Sequence, residues 1–184
     1  MAFESLSTSP DGRSLFTASQ YPLSGDGRIS DEQKRIRLLR YKKRGSAGFQ
    51  PSDEFFYLTA TGNGLTDIVA LSERELLVLE GRLIFRVSLD GAEDVSREKT
   101  LATSEAVPVE KELLVNLDDC PLPSRNSDQH AFFESLDLGK SLPSSGRMLA
   151  VVSDDNFHSN LKTRVIALSV RMRTSTPLSK AFTC

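Results

Sequence analysis

The chain has 184 residues, of which 26% are charged and 39% hydrophobic, and its formal net charge is −2. This composition is that of a globular domain with a substantial core. It gives no strong basic field for nucleic acid and contains no apolar run of about 18 residues for a membrane span. We therefore expect neither nucleic acid nor a membrane among its partners.

The first predicted element is a β-hairpin. Residues 3–6 read Phe-Glu-Ser-Leu, a turn follows at 9–12 (Ser-Pro-Asp-Gly), and an apolar run then ends at Gln20. Two further apolar runs lie at 37–41 and 55–59. Short runs of this kind, bounded by Gly, Pro and Asp, are typical of strands. The first unit is thus predicted to hold about four strands, the number in a propeller blade.

The same pattern recurs twice further along the chain. A looser second copy spans 66–80 and is followed by strand-like runs at 83–87 and 112–116. The third copy, at 133–154, begins again with Phe-Glu-Ser-Leu, returns to Gly-Arg and is followed by a run at 164–168. Recurrence of one hairpin-bearing unit is the sequence signature of a repeat architecture.

We therefore predict an all-β fold, a partial β-propeller with about three four-stranded blades of a larger propeller. A β-sandwich is the rival architecture, although it does not require a repeated acidic anchor. The predicted domain spans 1–172, and the Ser/Thr-rich tail 173–184 is expected to be disordered. Long loops between strands are expected at 21–34, 91–110 and 118–131.

Each unit carries an acidic residue where its first strand begins: Glu4, Asp67 and Glu134, which are 63 and 67 residues apart. In a hairpin the start of the first strand lies beside the end of the second. Because first strands line the channel of a propeller, we expect these side chains at one end of that channel. The residues at the second-strand ends that join them are Gln20, Glu80, Asp154, Asp155 and Asn156.

Clustered carboxylates repel one another and must be neutralised. One interpretation is that they bond to backbone N–H groups and hold the blades together. The other is a cation site, in which hard oxygen ligands favour Ca²⁺. The metal-binding set would then be Glu4, Asp67, Glu80, Glu134, Asp154 and Asp155, with Gln20 and Asn156 as further polar groups of the rim.

The remaining candidate groups are few. His130 and His158 lack the spacing of metal ligands, and we interpret both as loop residues. Cys120 and Cys184 have no CxxC spacing, so the first expectation is two unpaired thiols, with a bridge reserved for an oxidising compartment. The basic run 42–44 is predicted to be a solvated loop end rather than a phosphate clamp.

Several of these motifs together resemble the phytase-like domain family, also called esterase-like activity of phytase. They are Phe-Glu-Ser-Leu at 3–6, Ser-Pro-Asp-Gly-Arg-Ser-Leu at 9–15, Arg-Leu-Leu-Arg-Tyr at 37–41 and Val-Ser-Asp-Asp-Asn-Phe at 152–157. The resemblance covers about 3–172 and corresponds to the C-terminal half of the family's longer domain. Ser5 and Ser135 stand where the family has glycine.

The resemblance implies hydrolysis of phosphoric esters, through a metal that holds phosphate and orients water. No catalytic residue is carried over from it. A small phosphorylated or ester substrate is the implied partner, and the missing blades are expected from a longer chain or a second copy. The alternative function is a non-catalytic propeller scaffold that binds a ligand or a protein. The family context implies export or an organelle, although no signal segment is visible.

Overall fold

The computed structural model describes residues 3–120, 132–142, 146–159, 161–170 and 182–183. This part of the chain is almost entirely β-structure, interrupted by two single-turn 3₁₀ helices, Gly45–Ala47 and Leu117–Asp119. Within the same residues no helix is long and apolar enough to cross a membrane.

Twelve strands in the described residues form three antiparallel sheets of four, each built from consecutive strands. Sheet A contains β1 (Phe3–Thr8), β2 (Ser14–Ser19), β3 (Arg35–Lys43) and β4 (Phe49–Leu58). Sheet B contains β5 (Asp67–Ala70), β6 (Glu75–Glu80), β7 (Leu83–Ser88) and β8 (Glu110–Asn116). Sheet C contains β9 (Phe132–Ser141), β10 (Arg147–Asp154), β11 (Val165–Val170) and β12 (Phe182–Thr183).

The first hairpin turns where the sequence predicts. The N–H of Gly12 donates to the carbonyl of Ser9 at 2.8 Å, and Gly12 has φ +67°, a conformation that glycine adopts without a steric penalty. The Ser9 hydroxyl donates to Asp11 at 2.6 Å and accepts from the N–H of Ser14 at 2.9 Å. These bonds close the turn and set the register of β1 against β2.

The middle sheet is buried on both faces, which explains the unbroken apolar run of β6. Leu76 and Val78 belong to the core shared with sheet A, where they join Phe16. Leu77 and Leu79 belong to the core shared with sheet C. Alternate side chains of a strand point to opposite faces, so one strand serves both cores.

The three sheets succeed one another side by side, because β1 contacts β5 and β5 contacts β9. This arrangement is not the pair of facing sheets of a sandwich. The all-β prediction is confirmed, and three four-stranded antiparallel sheets in series are compatible with three blades of a partial propeller.

The segment 91–109 covers all but the last residue of the predicted loop 91–110, and it packs onto the outer part of sheet A. Val95 and Leu101 form a small apolar cluster with Phe56 of β4. The guanidinium of Arg37 holds the segment by donating to the carbonyls of Val95 (3.2 Å) and Glu98 (3.0 Å). A connection that starts in sheet B therefore covers part of sheet A.

Two expectations, one about Cys120 and one about the C-terminal tail, need correction. Cys120 is disulfide-bonded rather than a free thiol, and the chain has one other cysteine, Cys184, which lies outside the described residues. The tail was expected to be disordered throughout, but Phe182–Thr183 pairs with β11 as β12. Residues 173–181 of the tail, and His130, lie outside the described residues.

Candidate functional site

The three acidic anchors stand at the same end of their sheets. In each hairpin the start of the first strand lies opposite the end of the second, as predicted. The register pairs are Phe3 with Ser19, Asp67 with Leu79, and Phe132 with Asp154. Since β1, β5 and β9 are neighbours, this end of the sheets forms one acidic rim.

The charges of Glu4 and Asp154 act on Glu134 across this rim. Partial burial raises the pKa of the Glu134 carboxyl above its ordinary value, and the negative charges of Glu4 and Asp154 raise it further. All three residues are exposed, so the burial of the Glu134 carboxyl is only partial. The structure thus brings together three of the six carboxylates predicted for the metal-binding set.

Asp67 is engaged by the backbone of the next sheet. Its carboxylate accepts the N–H of Leu136 on β9 at 2.7 Å and the N–H of Ile68 at 2.8 Å. Burial raises the pKa of Asp67, while these two bonds act in the opposite direction. Asp67 therefore fits the interpretation in which a carboxylate holds neighbouring blades together.

Glu80 is fully buried between sheets A and B. Its carboxylate accepts the backbone N–H of Ala60 at 2.6 Å, the Lys111 ammonium at 2.6 Å and the Tyr57 hydroxyl. Burial raises the pKa of Tyr57 well above its ordinary value, and the charge of Glu80 adds to this effect. Burial lowers the pKa of Lys111, against the opposing influence of Glu80. Three protein donors thus hold the Glu80 carboxylate inside the structure, away from the rim.

Asp155 and Asn156 lie in a tight turn directly after β10. Asp154 accepts the N–H of Asn156 at 2.9 Å, and Asp155 accepts the N–H of Phe157 at 3.0 Å. Asn156 and Phe157 both have positive φ, 47° and 59°, which is uncommon for residues other than glycine. The Phe157 side chain is fully exposed, so the turn presents an aromatic ring beside the acidic rim.

Gln20 joins sheets A and B through its backbone. Its carbonyl accepts the N–H of Leu65 at 3.2 Å. A Cβ atom on Gly64 would lie 2.9 Å from that carbonyl oxygen, so only glycine permits this approach. The Gln20 side chain is half-buried.

The described residues do not form a complete metal site. Carboxylates such as Glu4, Glu134 and Asp154 offer the hard oxygens that Ca²⁺ prefers. However, in the part of the chain that the structure describes, no group of three or more His, Cys, Asp or Glu residues is placed to hold a metal ion. The rim therefore supplies at most part of a ligand set from one chain.

A cavity of about 450 Å³ opens beside Glu4 on sheet A. Its walls are mainly apolar, and they include Phe3, Glu4, Leu6, Leu15, Thr17 and Tyr41. Sequence reasoning did not identify this cavity, because its walls come from three strands.

Serial four-stranded antiparallel sheets with an acidic rim at the starts of their first strands define an all-β repeat protein, whose sheets are compatible with the blades of a partial propeller. The chain belongs to the phytase-like family, described as esterase-like activity of phytase, whose model matches residues 1–157. No curated protein and no solved structure matches the chain. The match confirms the resemblance found in the sequence and supports a phytase-like or esterase-like hydrolase family.

Proposed function

We propose that this chain is a hydrolase of phosphoric esters and that Glu4, Glu134 and Asp154 form its reactive rim. The observation that supports the proposal most is the environment of Glu134. Partial burial and two neighbouring negative charges raise the pKa of its carboxyl. A carboxyl whose pKa is raised keeps its proton to a higher pH than an ordinary carboxyl, which is the direction that a general acid requires.

In this proposal Glu134 acts as a general acid. The protonated carboxyl donates its proton to the leaving oxygen of the ester as the phosphorus–oxygen bond breaks, and water supplies the oxygen that replaces it. Glu4 and Asp154 act through their charge, since they keep Glu134 protonated to a higher pH.

An anionic phosphate ester is repelled by a carboxylate rim, and for this reason we propose Ca²⁺ as the assisting cation. One chain's described residues supply only part of a ligand set. Asp67 and Glu80 belong to the predicted metal-binding set, but protein groups already occupy their carboxylates.

The test is phosphate release from phytate and from p-nitrophenyl phosphate, measured with Ca²⁺ and with a chelator. Glu134→Gln is expected to lower the rate at least about 100-fold, the usual contribution of general acid catalysis. Asp154→Ala lowers the rate with the fold intact, whereas Glu105→Gln, an exposed residue of the segment 91–109, leaves it unchanged. Full activity of Glu134→Gln would contradict the assignment.

The second candidate is a non-catalytic scaffold that binds a ligand or a protein. It is favoured by the roles of Asp67 and Glu80, which connect sheets rather than face the rim. This candidate predicts no release of product from phytate or from simple phosphate and carboxylic esters, with or without Ca²⁺. Turnover that Glu134→Gln removes would exclude it.

A further inference from the structure

Sheet C has a face of small apolar side chains, edged by Ser135 and Asp137 of β9, that no described segment covers. Leu149 and Val151 of β10 point into the core shared with sheet B, whereas the alternate residues point away from it. On this outer face Ala150 lies opposite Ala167, and Val152 lies opposite Val165. Val165 is 71% exposed. We call this set, together with the partly exposed Met148, the C face.

Sheet A has a partly open surface on the side away from sheet B, at which Leu6 is exposed and Thr17 is buried. Phe16 and Ala18 of β2 fill the core shared with sheet B, and the alternate residues Leu15 and Thr17 line the cavity described above. Leu6, which is 68% exposed, lies opposite Thr17. The segment 91–109 covers only the outer part of this side. We call the remaining set, Leu6, Leu15, Thr17 and Tyr41, the A face.

The two faces complement each other in side-chain size. The C face consists mostly of small Ala and Val residues, whereas the A face carries Leu and Tyr side chains around a cavity of about 450 Å³. Their order also continues the interfaces inside the chain. One face of sheet A packs on sheet B, and the opposite face of sheet B packs on sheet C. If the order of sheets A, B and C repeats, the surface that packs on the C face is the A face of another sheet A.

We propose that a second copy of this chain supplies that surface. The C face of each copy packs against the A face of the other, which closes a ring of six sheets with two-fold symmetry. Propellers have four to eight blades, so six is within their range. Two-fold dimers are the commonest closed oligomers.

The contacts between first strands show how such a ring would continue at the rim. The N–H of Ala70 on β5 donates to the Ser7 hydroxyl of β1 at 2.9 Å, and the N–H of Leu136 on β9 donates to Asp67 at 2.7 Å. Glu134 is the repeat equivalent of Asp67, and in the ring it faces β1 of the second copy. The rim then gathers carboxylates from both copies, which adds metal ligands to those that the described residues of one chain supply. This last consequence rests on the proposed function, whereas the ring itself does not.

Sedimentation velocity of the purified full chain tests the ring. The wild-type chain is expected to sediment as a dimer at micromolar concentration. Leu6→Asp and Val165→Asp place a charge on the A face and the C face, and each is expected to give a monomer. Leu113→Asp is the matched control, since Leu113 is 50% exposed on the outer strand of the middle sheet. Far-UV circular dichroism of each variant checks that the strands remain folded.

A monomeric wild-type chain would overturn the proposal, as would a dimer that resists both face variants or an open-ended series of larger oligomers. Phosphate release measured on the same samples separates the two proposals. A dimer without turnover would contradict the proposed hydrolase function and would leave the proposed ring unaffected. Turnover by the Leu6→Asp monomer, equal to that of wild type, shows that the site does not need the second copy.

Discussion

The carboxylate of Asp67 accepts the backbone N–H of Leu136, 69 residues further along the chain, at 2.7 Å. This bond connects the first strand of sheet B to the first strand of sheet C. The Ser7 hydroxyl makes the corresponding contact between sheets A and B, where it accepts the N–H of Ala70 at 2.9 Å. Side chains at the starts of first strands therefore link consecutive sheets through their backbones.

Asp67→Ala is expected to destabilise the protein by about 1–3 kcal/mol, because it leaves the N–H of the buried Leu136 without its acceptor. The measurement is urea unfolding followed by circular dichroism. Glu105→Ala, at an exposed site, is the control and is expected to change the stability by less than about 0.5 kcal/mol. Equal stability of the two variants would show that the bond is not formed.

Glu80→Gln is expected to cost about 3–5 kcal/mol, because it removes the charge that balances Lys111 in a largely buried place. Adding Lys111→Met should recover part of this loss, since both members of the pair are then absent. Glu75→Gln, at the other end of β6, breaks a more exposed pair with Arg86 and should cost less than about 1 kcal/mol. Similar losses of stability in Glu80→Gln and Glu75→Gln would contradict a stabilising role for the buried Glu80–Lys111 pair.

Arg37→Lys is expected to loosen the segment 91–109. Arg37 makes two bonds to the buried Asp26, at 2.7 and 3.0 Å, and one to Glu54 at 2.8 Å. Hydrogen bonding to Asp26 raises the pKa of Arg37, against the effect of its burial. Lysine lacks the planar fork for these contacts, so we expect a loss of about 2–3 kcal/mol.

Hydrogen exchange provides the local measurement for Arg37→Lys. Amides in 95–101 should exchange faster than in the wild type, while those of β6 keep their protection. Arg74→Lys, which alters an exposed pair with Asp90, is the control and should leave the segment unchanged. Unaltered exchange at 95–101 in Arg37→Lys would mean that the apolar cluster of Phe56, Val95 and Leu101 holds the segment alone.

The pH dependence of stability follows from the direction of the Glu134 shift. Its pKa in the folded protein is raised, so the folded chain binds this proton more readily than the unfolded chain. Stability is therefore lost as the pH rises through the folded pKa. Glu134→Gln should be more stable than wild type at pH 7, by less than about 1 kcal/mol because the rim is solvated, and the difference should vanish at acidic pH. A lower stability of the variant at pH 7 would contradict this reading.

The sequence predicts the strands and the acidic anchors well because both depend on local pattern. Repeated hairpins fix which strand ends meet, and this places Glu4, Glu134 and Asp154 at one end of the sheets. Glu80 could not be interpreted in the same way. Its partners Tyr57 and Lys111 lie 23 and 31 residues away in two different strands, and nothing in the local pattern of β6 indicates them.

The covering of sheet A by the segment 91–109 was also beyond local reasoning. Its composition predicts a loop, and the structure assigns no strand or helix to these residues. The contacts that order it come from Arg35 and Arg37 of β3, with Arg35 donating to the carbonyl of Leu101 at 3.0 Å. Such contacts, more than 60 residues apart in sequence, leave no periodic signal.

The convergence of Glu4 and Glu134 at one rim is the claim on which the proposed function depends most. A carbon-13 titration of the Glu134 carboxyl, assigned by comparison with Glu134→Gln, tests it in the wild type and in Glu4→Gln. We expect a pKa above the ordinary 4.5 in the wild type. In Glu4→Gln we expect a pKa below that of the wild type, because only burial and Asp154 then raise it. A wild-type pKa at or below 4.5, or one that Glu4→Gln leaves unchanged, would contradict it.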